Sequence, residues 1–236
     1  MSEPVLIPQF PESRHPLIQS LLRHSDQDLV TLYQRHPEVG RYFTAIFCRY
    51  SPVVYTLIRH SARSPVQVDY LFALTWRHIF YELRGLNLYA PTPNGQAITL
   101  QNWIINVTAL CINQADLPPV EAIQYTLQAA SPPLWCYVEQ ALDRMPSTLR
   151  LMVVMVQVFH WSETRVSAYL QAEGERLSPA EVRVKLQEGY RLLETELPDD
   201  IRTIYLGTDP VAAPEAVLPD SIVEPEMAFM EFGLSV

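Results

Sequence analysis

Apolar residues recur every three or four positions in successive blocks along the chain, with prolines between the blocks. That period belongs to amphipathic helices. It is sharpest over residues 135–197. Trp135, Val138, Leu142 and Met145 share one stripe, and Pro146 interrupts it. Leu149, Met152, Val153 and Val156 follow as a second helix, and Ser162 stands where it caps a third, carrying Val166, Tyr169 and Leu170. In Ser178-Pro179-Ala180-Glu181, serine takes the N-cap, proline the first helical position, and glutamate the place from which it returns the bond. The helix it opens sets Val182, Leu186, Gly189, Leu193 and Leu197 on one face. Two helices, a turn and a well-capped last helix form the plan of a helix-turn-helix, whose last helix enters the DNA major groove. A plain helical bundle has the same spacing.

The front half shows the same period. Pro4, Pro8, Pro11 and Pro16 make residues 1–25 an extended arm, with room for one helical turn near Leu17. Ser25 or Asp26 caps a helix through Leu29, Leu32 and Tyr33 that Pro37 ends. Residues 41–63 carry a broad stripe of Phe43, Ile46, Phe47, Tyr50, Val54, Leu57 and Ile58, which Pro52 is expected to bend or divide. Ser64-Pro65 restarts a helix with Val68, Leu71, Phe72, Trp76, Ile79, Phe80 and Leu83 inward, and Gly85 is its expected stop. Residues 89–95 form a loop. A helix over 99–114 follows, packing Trp103, Ile104, Val107, Leu110 and Cys111.

The expected fold is therefore all-α. It consists of an arm (1–25), a helical domain (26–116), a linker marked by Pro118, Pro119, Pro132 and Pro133 (117–133), a second helical domain (134–205) and an acidic flexible tail (206–236). The tail ends in Met227-Ala228-Phe229-Met230-Glu231-Phe232, which reads either as disordered or as a docking segment.

Composition supports a folded chain: 48% of residues are hydrophobic and only 7 of 236 are glycine. No run reaches the roughly 18 apolar residues of a membrane span. No basic start precedes an apolar block at the N-terminus, so no secretory leader and a cytoplasmic location are expected. Cys48, Cys111 and Cys136 are far apart and read as buried free thiols, and the six scattered histidines form no metal-ligand pair. No phosphate-cradling glycine loop, serine elbow or zinc-binding His-Glu pair is present, so neither enzyme activity nor a cofactor is expected. Charge cuts against one partner. Residues 1–116 hold 9 arginines against 8 acids, whereas residues 117–236 hold 8 basic and 18 acidic residues, a net −10. An acidic half is poor material for neutralising phosphates.

Particular residues sharpen the picture. Ala141-Leu142-Asp143-Arg144-Met145-Pro146, then Leu149-Arg150, then Val158-Phe159-His160-Trp161-Ser162-Glu163 follow the order of the fourth conserved region of sigma-70-type factors. Residues 178–191 resemble its recognition helix. Arg49-Tyr50-Ser51-Pro52-Val53-Val54-Tyr55 is similar to the second region's "R-Y-S-P-x-V-Y". Pro65 with Asp69-Tyr70-Leu71-Phe72-Ala73-Leu74-Thr75-Trp76-Arg77-His78, and then Gln101-Asn102-Trp103-Ile104-Ile105-Asn106-Val107, resemble the motifs that follow. The chain looks like a member of the extracytoplasmic-function group of sigma factors, over about residues 26–200.

The resemblance implies binding to core RNA polymerase and promoter DNA, with the first domain on the −10 element and the helix-turn-helix on the −35 element. It leaves room for an inhibitory partner of anti-sigma type. Arg183, Lys185, Gln187 and Arg191 are the groove-facing candidates, since arginine's planar fork grips guanine or phosphate. Solvated surface charges one turn from Glu181, Glu188 or Glu194 are the plainer reading. Trp76, Arg77, His78 and Tyr81 are candidates for holding a melted strand, though a core position is the plainer reading for Trp76, and Arg77 and His78 are the better candidates for exposure. Asp69, Tyr70 and Leu74 fall where the family grips polymerase.

Departures accompany these matches. Tyr70, Phe72, Ala73 and Leu74 replace acidic and amide positions, Thr108-Ala109-Leu110 replaces "A-R-N", and Val184, Glu188 and Tyr190 replace basic or polar ones. A second reading follows: a degenerate sigma paralogue that acts as a protein-interaction module without reading DNA.

Overall fold

The computed structural model describes residues 8–61, 64–88, 98–127 and 130–207. The loop expected over 89–95 and the tail beyond 207, with its Met227–Phe232 segment, lie outside the described residues. The fold is all-α, with ten α-helices and no strand among the described residues: α1 (Pro16–Leu21), α2 (Asp26–Arg35), α3 (Gly40–Arg59), α4 (Pro65–Glu82), α5 (Leu100–Gln114), α6 (Pro132–Arg144), α7 (Ser147–Gln157), α8 (Glu163–Ala172), α9 (Pro179–Glu196) and α10 (Asp199–Leu206). No helix among them is long and apolar enough to cross a membrane.

The local signals act where the side chains put them. Ser25 caps α2 in a full capping box with Asp28, and Ser64, Thr99 and Ser162 cap α4, α5 and α8. The Ser178–Glu181 box opens α9 as its sequence predicts. Gly174 adopts φ +94° just after α8, where its N–H reaches the Gln171 carbonyl and the Glu175 N–H reaches that of Leu170. This pair of bonds closes a helix end in a Schellman motif.

Three local expectations change. Pro52 leaves α3 unbroken over 20 residues, because its ring sits on the exposed side while Ser51, Val54 and Tyr55 are buried. Leu110 is 52% exposed, since α5 turns Leu100, Ile104, Val107 and Thr108 inward. The Thr108 hydroxyl donates to the Ile104 carbonyl at 2.8 Å, which removes the cost of burying it. The arm is also no loose extension at its described end. Phe10 is buried, with its ring centroid 4.7 Å from that of Phe47 and 5.8 Å from that of Phe72.

α3 is the axis of the front half, packed by α1, α2, α4 and α5. Its Arg49 ties the preceding helices down. One guanidinium nitrogen meets Asp26 at 2.6 Å, and another donates to the Leu22 and His24 carbonyls left open at the end of α1. Tyr50 donates to the other Asp26 oxygen at 2.5 Å. Behind them Phe43, Phe47, Phe72, Trp76 and Phe80 interlock edge to face, the arrangement aromatic quadrupoles favour.

The boundary expected at 117–133 is not a break in the packing. Pro132 and Pro133 belong to α6, and Pro132 through Val138 are all buried. α6 lies against α3 and α4 on one side and α9 on another, so one apolar core runs from Phe10 to Ile201. The chain before α6 adds a smaller cluster, in which Tyr125 sits between Tyr70 and Trp135 and donates to the Ala130 carbonyl.

Of the acid pair Asp199-Asp200 at the start of α10, only Asp199 is exposed. Asp200 opens α10, which returns to the front half and packs on α3 and α6. Val39 gives α3 no side-chain cap of its own, and the Asp200 carboxylate accepts from Gly40 N at 3.1 Å and Arg41 N at 2.8 Å instead. The approach needs glycine at position 40, because a Cβ there would stand 2.2 Å from Ile201 Cγ1. Sequence periodicity carries no trace of a cap supplied from 160 residues away. Replacing a capping carboxylate by alanine costs about 1 kcal/mol. Asp200→Ala is therefore expected to lower the denaturation midpoint by about that free energy with an unchanged denaturant slope, as measured by urea titration followed by circular dichroism.

Candidate nucleic-acid and polymerase interfaces

Helices α7, α8 and α9 pack on one another as a three-helix unit, with α9 nested on α7 and α8. Val182, Leu186, Gly189 and Leu193 form its inner face, as the spacing predicts. Gly189 permits the close contact with α7, since a Cβ there would stand 3.0 Å from Val153 Cγ2. The turn is held by Ser167, whose hydroxyl donates to the Leu177 carbonyl at 2.6 Å. Tyr190 points back toward α7 and accepts from Gln157 at 2.7 Å, so it is a packing residue.

The outer face of α9 exposes Arg183, Val184, Gln187, Glu188 and Arg191, with Lys185 partly covered. Its electrostatics are not those of a phosphate-binding helix. Arg183 is held two-pronged by Glu163 of α8, with Nε and Nη2 at 2.8 and 2.7 Å from the carboxylate oxygens. This pairing pulls the Glu163 carboxyl below its usual range and pushes Arg183 up. Lys185 feels Glu181, whose carboxyl is lowered mainly by its bonds to Ser178. Three cations on α9 stand against Glu181, Glu188, Glu194 and Glu196, and Val184 is 64% exposed in the middle of the face. Gln187 and Arg191 are the groove candidates left in solvent without an ion pair.

The front candidates divide. Trp76 is fully buried among Phe43, Phe47 and Phe72, so its face is closed to a base and it is a core residue. Its alternation with Leu71, Phe72, Ile79 and Phe80 already places it on the inner stripe. Arg77 is half-exposed but committed: Nε donates to Glu139 Oε2 at 2.8 Å, Nη2 lies 2.5 Å from Oε1, and the guanidinium sits 6.0 Å from the Trp135 ring. Tyr81 donates to the same carboxylate, at 3.2 Å. His78 is exposed.

Of the polymerase candidates, Asp69 is half-buried and accepts from Tyr55 at 3.2 Å; its carboxyl is pushed up by burial, against the bond from Tyr55. Tyr70 and Leu74 pack on the cluster around Tyr125 and Trp135. The structure thus brings Tyr70, Leu74 and Arg77 together on one side of α4, where the chain before α6 and α6 itself cover them.

A surface feature absent from the sequence expectations lies between α7 and α8. His160 takes φ +52°, and around it Phe159, Trp161 and Tyr169 form a ladder with centroids 6.2 and 5.8 Å apart. Arg165 lies 4.1 Å over the Trp161 ring, and Phe159 is 59% exposed. The run Phe159-His160-Trp161 was the available signal, but periodicity assigned Tyr169 inward. A shallow polar cleft of about 220 Å³ between α2 and the end of α4 is lined by Gln27, Thr31, Gln34, Arg84 and Asn87. Among the described residues no three His, Cys, Asp or Glu side chains gather as a metal site. Comparison with family models, curated proteins and solved structures returned no match.

The Arg77–Glu139 pair joins α4 to α6, and its partial exposure discounts its strength. Removing one partner of such a pair is expected to cost about 1 kcal/mol or less. Arg77→Ala should therefore weaken the protein by that order in urea denaturation, and a double-mutant cycle with Glu139→Ala should return a coupling that shrinks with added salt.

Proposed function

We propose that this chain is a sigma-factor-like protein of degenerate type, which acts through protein contacts and does not read promoter DNA directly. Core RNA polymerase is the partner that the motif order points to, and an inhibitory protein of anti-sigma type is a second. One observation carries the reading: an exposed arginine of the recognition-like helix is already bound, with both arms of Arg183 on Glu163. A phosphate or guanine would have to displace a carboxylate already in place, on a helix whose net charge is −1. Affinity for DNA rises with the number of phosphates neutralised, and this face offers few cations for that purpose. The exposed Val184 suits a protein surface better than a groove floor lined with donors and acceptors.

The second reading is an initiator that directs polymerase to promoters through both halves. It is favoured by the open outer face of α9, where Gln187 and Arg191 project on the side that a groove would meet.

Run-off transcription with cognate core polymerase separates the two. We expect polymerase to be retained on the immobilised protein, no new start sites on its addition, and no mobility shift of promoter DNA even at low salt. Start sites that appear only with the protein present would overturn the proposal in favour of the second reading. Glu163→Ala frees Arg183 and provides a further check, because DNA binding gained by this variant would show that the ion pair alone blocks the groove face.

A further inference from the structure

Glu12 is the most deeply buried acid of the described chain, at 3% exposure, and no cation is paired with it. It lies where four segments meet. Its own 3₁₀ turn (Pro11–Arg14) presses onto α3, which presents Cys48. Ser131, the N-cap of α6, stands beside the carboxylate without reaching hydrogen-bond geometry. From α10 the Tyr205 hydroxyl donates to Oε1 at 3.2 Å. Oε2 has no partner. Cations on the packed elements bond elsewhere: Arg14 to Gln9, Arg41 over the Tyr42 ring, and Arg202 through Nη2 to Asp199, its buried Nε left without a partner.

We propose that α10 and the N-terminal turn form a proton-sensitive clasp on α3, closed while the Glu12 carboxyl is neutral and loosened when it ionises. A neutral carboxyl suits the site, since it can keep the bond from Tyr205 and offer its own O–H to the unpaired Ser131 hydroxyl. An ionised one is a buried charge among hydroxyls and a thiol, with no counter-ion to offset its desolvation. Burial is also the main cause that holds this carboxyl above its usual range, against weaker lowering by its hydrogen bonds.

The sign follows from proton linkage. The closed clasp binds the proton more tightly than the open one, so closure is strongest in mild acid and is lost as pH rises through the raised value. The segment most exposed to that loss is α10. The same helix carries the Asp200 cap on α3 and Ile201 against Gly40, so opening would also uncap α3. The inference is independent of the polymerase reading.

Hydrogen exchange on the full chain, corrected for intrinsic rates, tests it. In the parent protein, protection of the α10 amides and of Gly40 and Arg41 should fall as pH rises, by up to about tenfold per pH unit, while amides of α7 and α9 hold steady. Glu12→Gln should keep protection high and flat with pH. Tyr205→Phe removes a bond that favours the charged form, so its response should move to higher pH. Protection in α10 that ignores pH in the parent protein, or that responds equally in Glu12→Gln, would overturn the clasp. An unmoved midpoint in Tyr205→Phe would overturn the part assigned to α10.

Discussion

A stretch of helix that is apolar on every side has to be surrounded, and the first two turns of α6 are such a stretch. Pro132 through Val138 are buried in succession and Ala141 follows, more than one stripe of a surface helix supplies. No single neighbour could cover them. α3 and α4 take one side, α9 another, and α10 rests near its start. The continuity of the core follows from this requirement. It also explains why Tyr137 and Phe80, from opposite halves of the sequence, meet edge to face at 5.2 Å. The prolines at 132 and 133 suggest a hinge when read along the chain. In the fold they are the first residues of the most enclosed helix, the position where proline's missing N–H costs least.

Local chemistry was legible in the sequence, and long-range chemistry was not. The cap at Ser25, the capping box at Ser178 and the inner face of α9 depend on residues within one or two turns, and they stand where the local sequence put them. The role of Asp200 depends on a helix 160 residues earlier, and that of Glu139 on Arg77, 62 residues away. Neither has a local signature. Trp76 was readable as core from its stripe, and its motif position suggested a stacking surface as well. Burial among three phenylalanines decides for the stripe. Leu110 and Tyr169 show the opposite miss: apolar residues at helical spacing that the neighbouring helices do not cover, because a period fixes a face but not how wide a partner is.

The same distinction governs the candidate sites. Arg183, Arg77 and Tyr81 are residues of the type that grips nucleic acid. Each is engaged with a carboxylate of another helix. At the surface such pairs add little stability, and their main effect is on what the face can attract. A guanidinium answered at 2.7 Å projects little net field, and steering of a polyanion depends on that field. The excess of acid in the second half is therefore organised, at least in part, as partners for the cations that a groove reader would have left free.

Among the charged and polar residues exposed on α7–α9 stand large apolar ones. Phe159, Leu151, Tyr169 and Val184 are exposed, and Trp161 is half-covered by Arg165. Holding Phe159 and Trp161 around a His160 at φ +52° requires a backbone region that non-glycine residues enter rarely. An aromatic and aliphatic surface of this kind binds by excluding water from a complementary apolar surface, with arginine supplying direction. Duplex DNA offers few such surfaces, since its exterior is phosphate and its groove edges are mostly hydrogen-bonding groups. A protein offers many. On electrostatic and apolar grounds alike, the proposed protein partner suits the outer surface of α7–α9 better than a groove would.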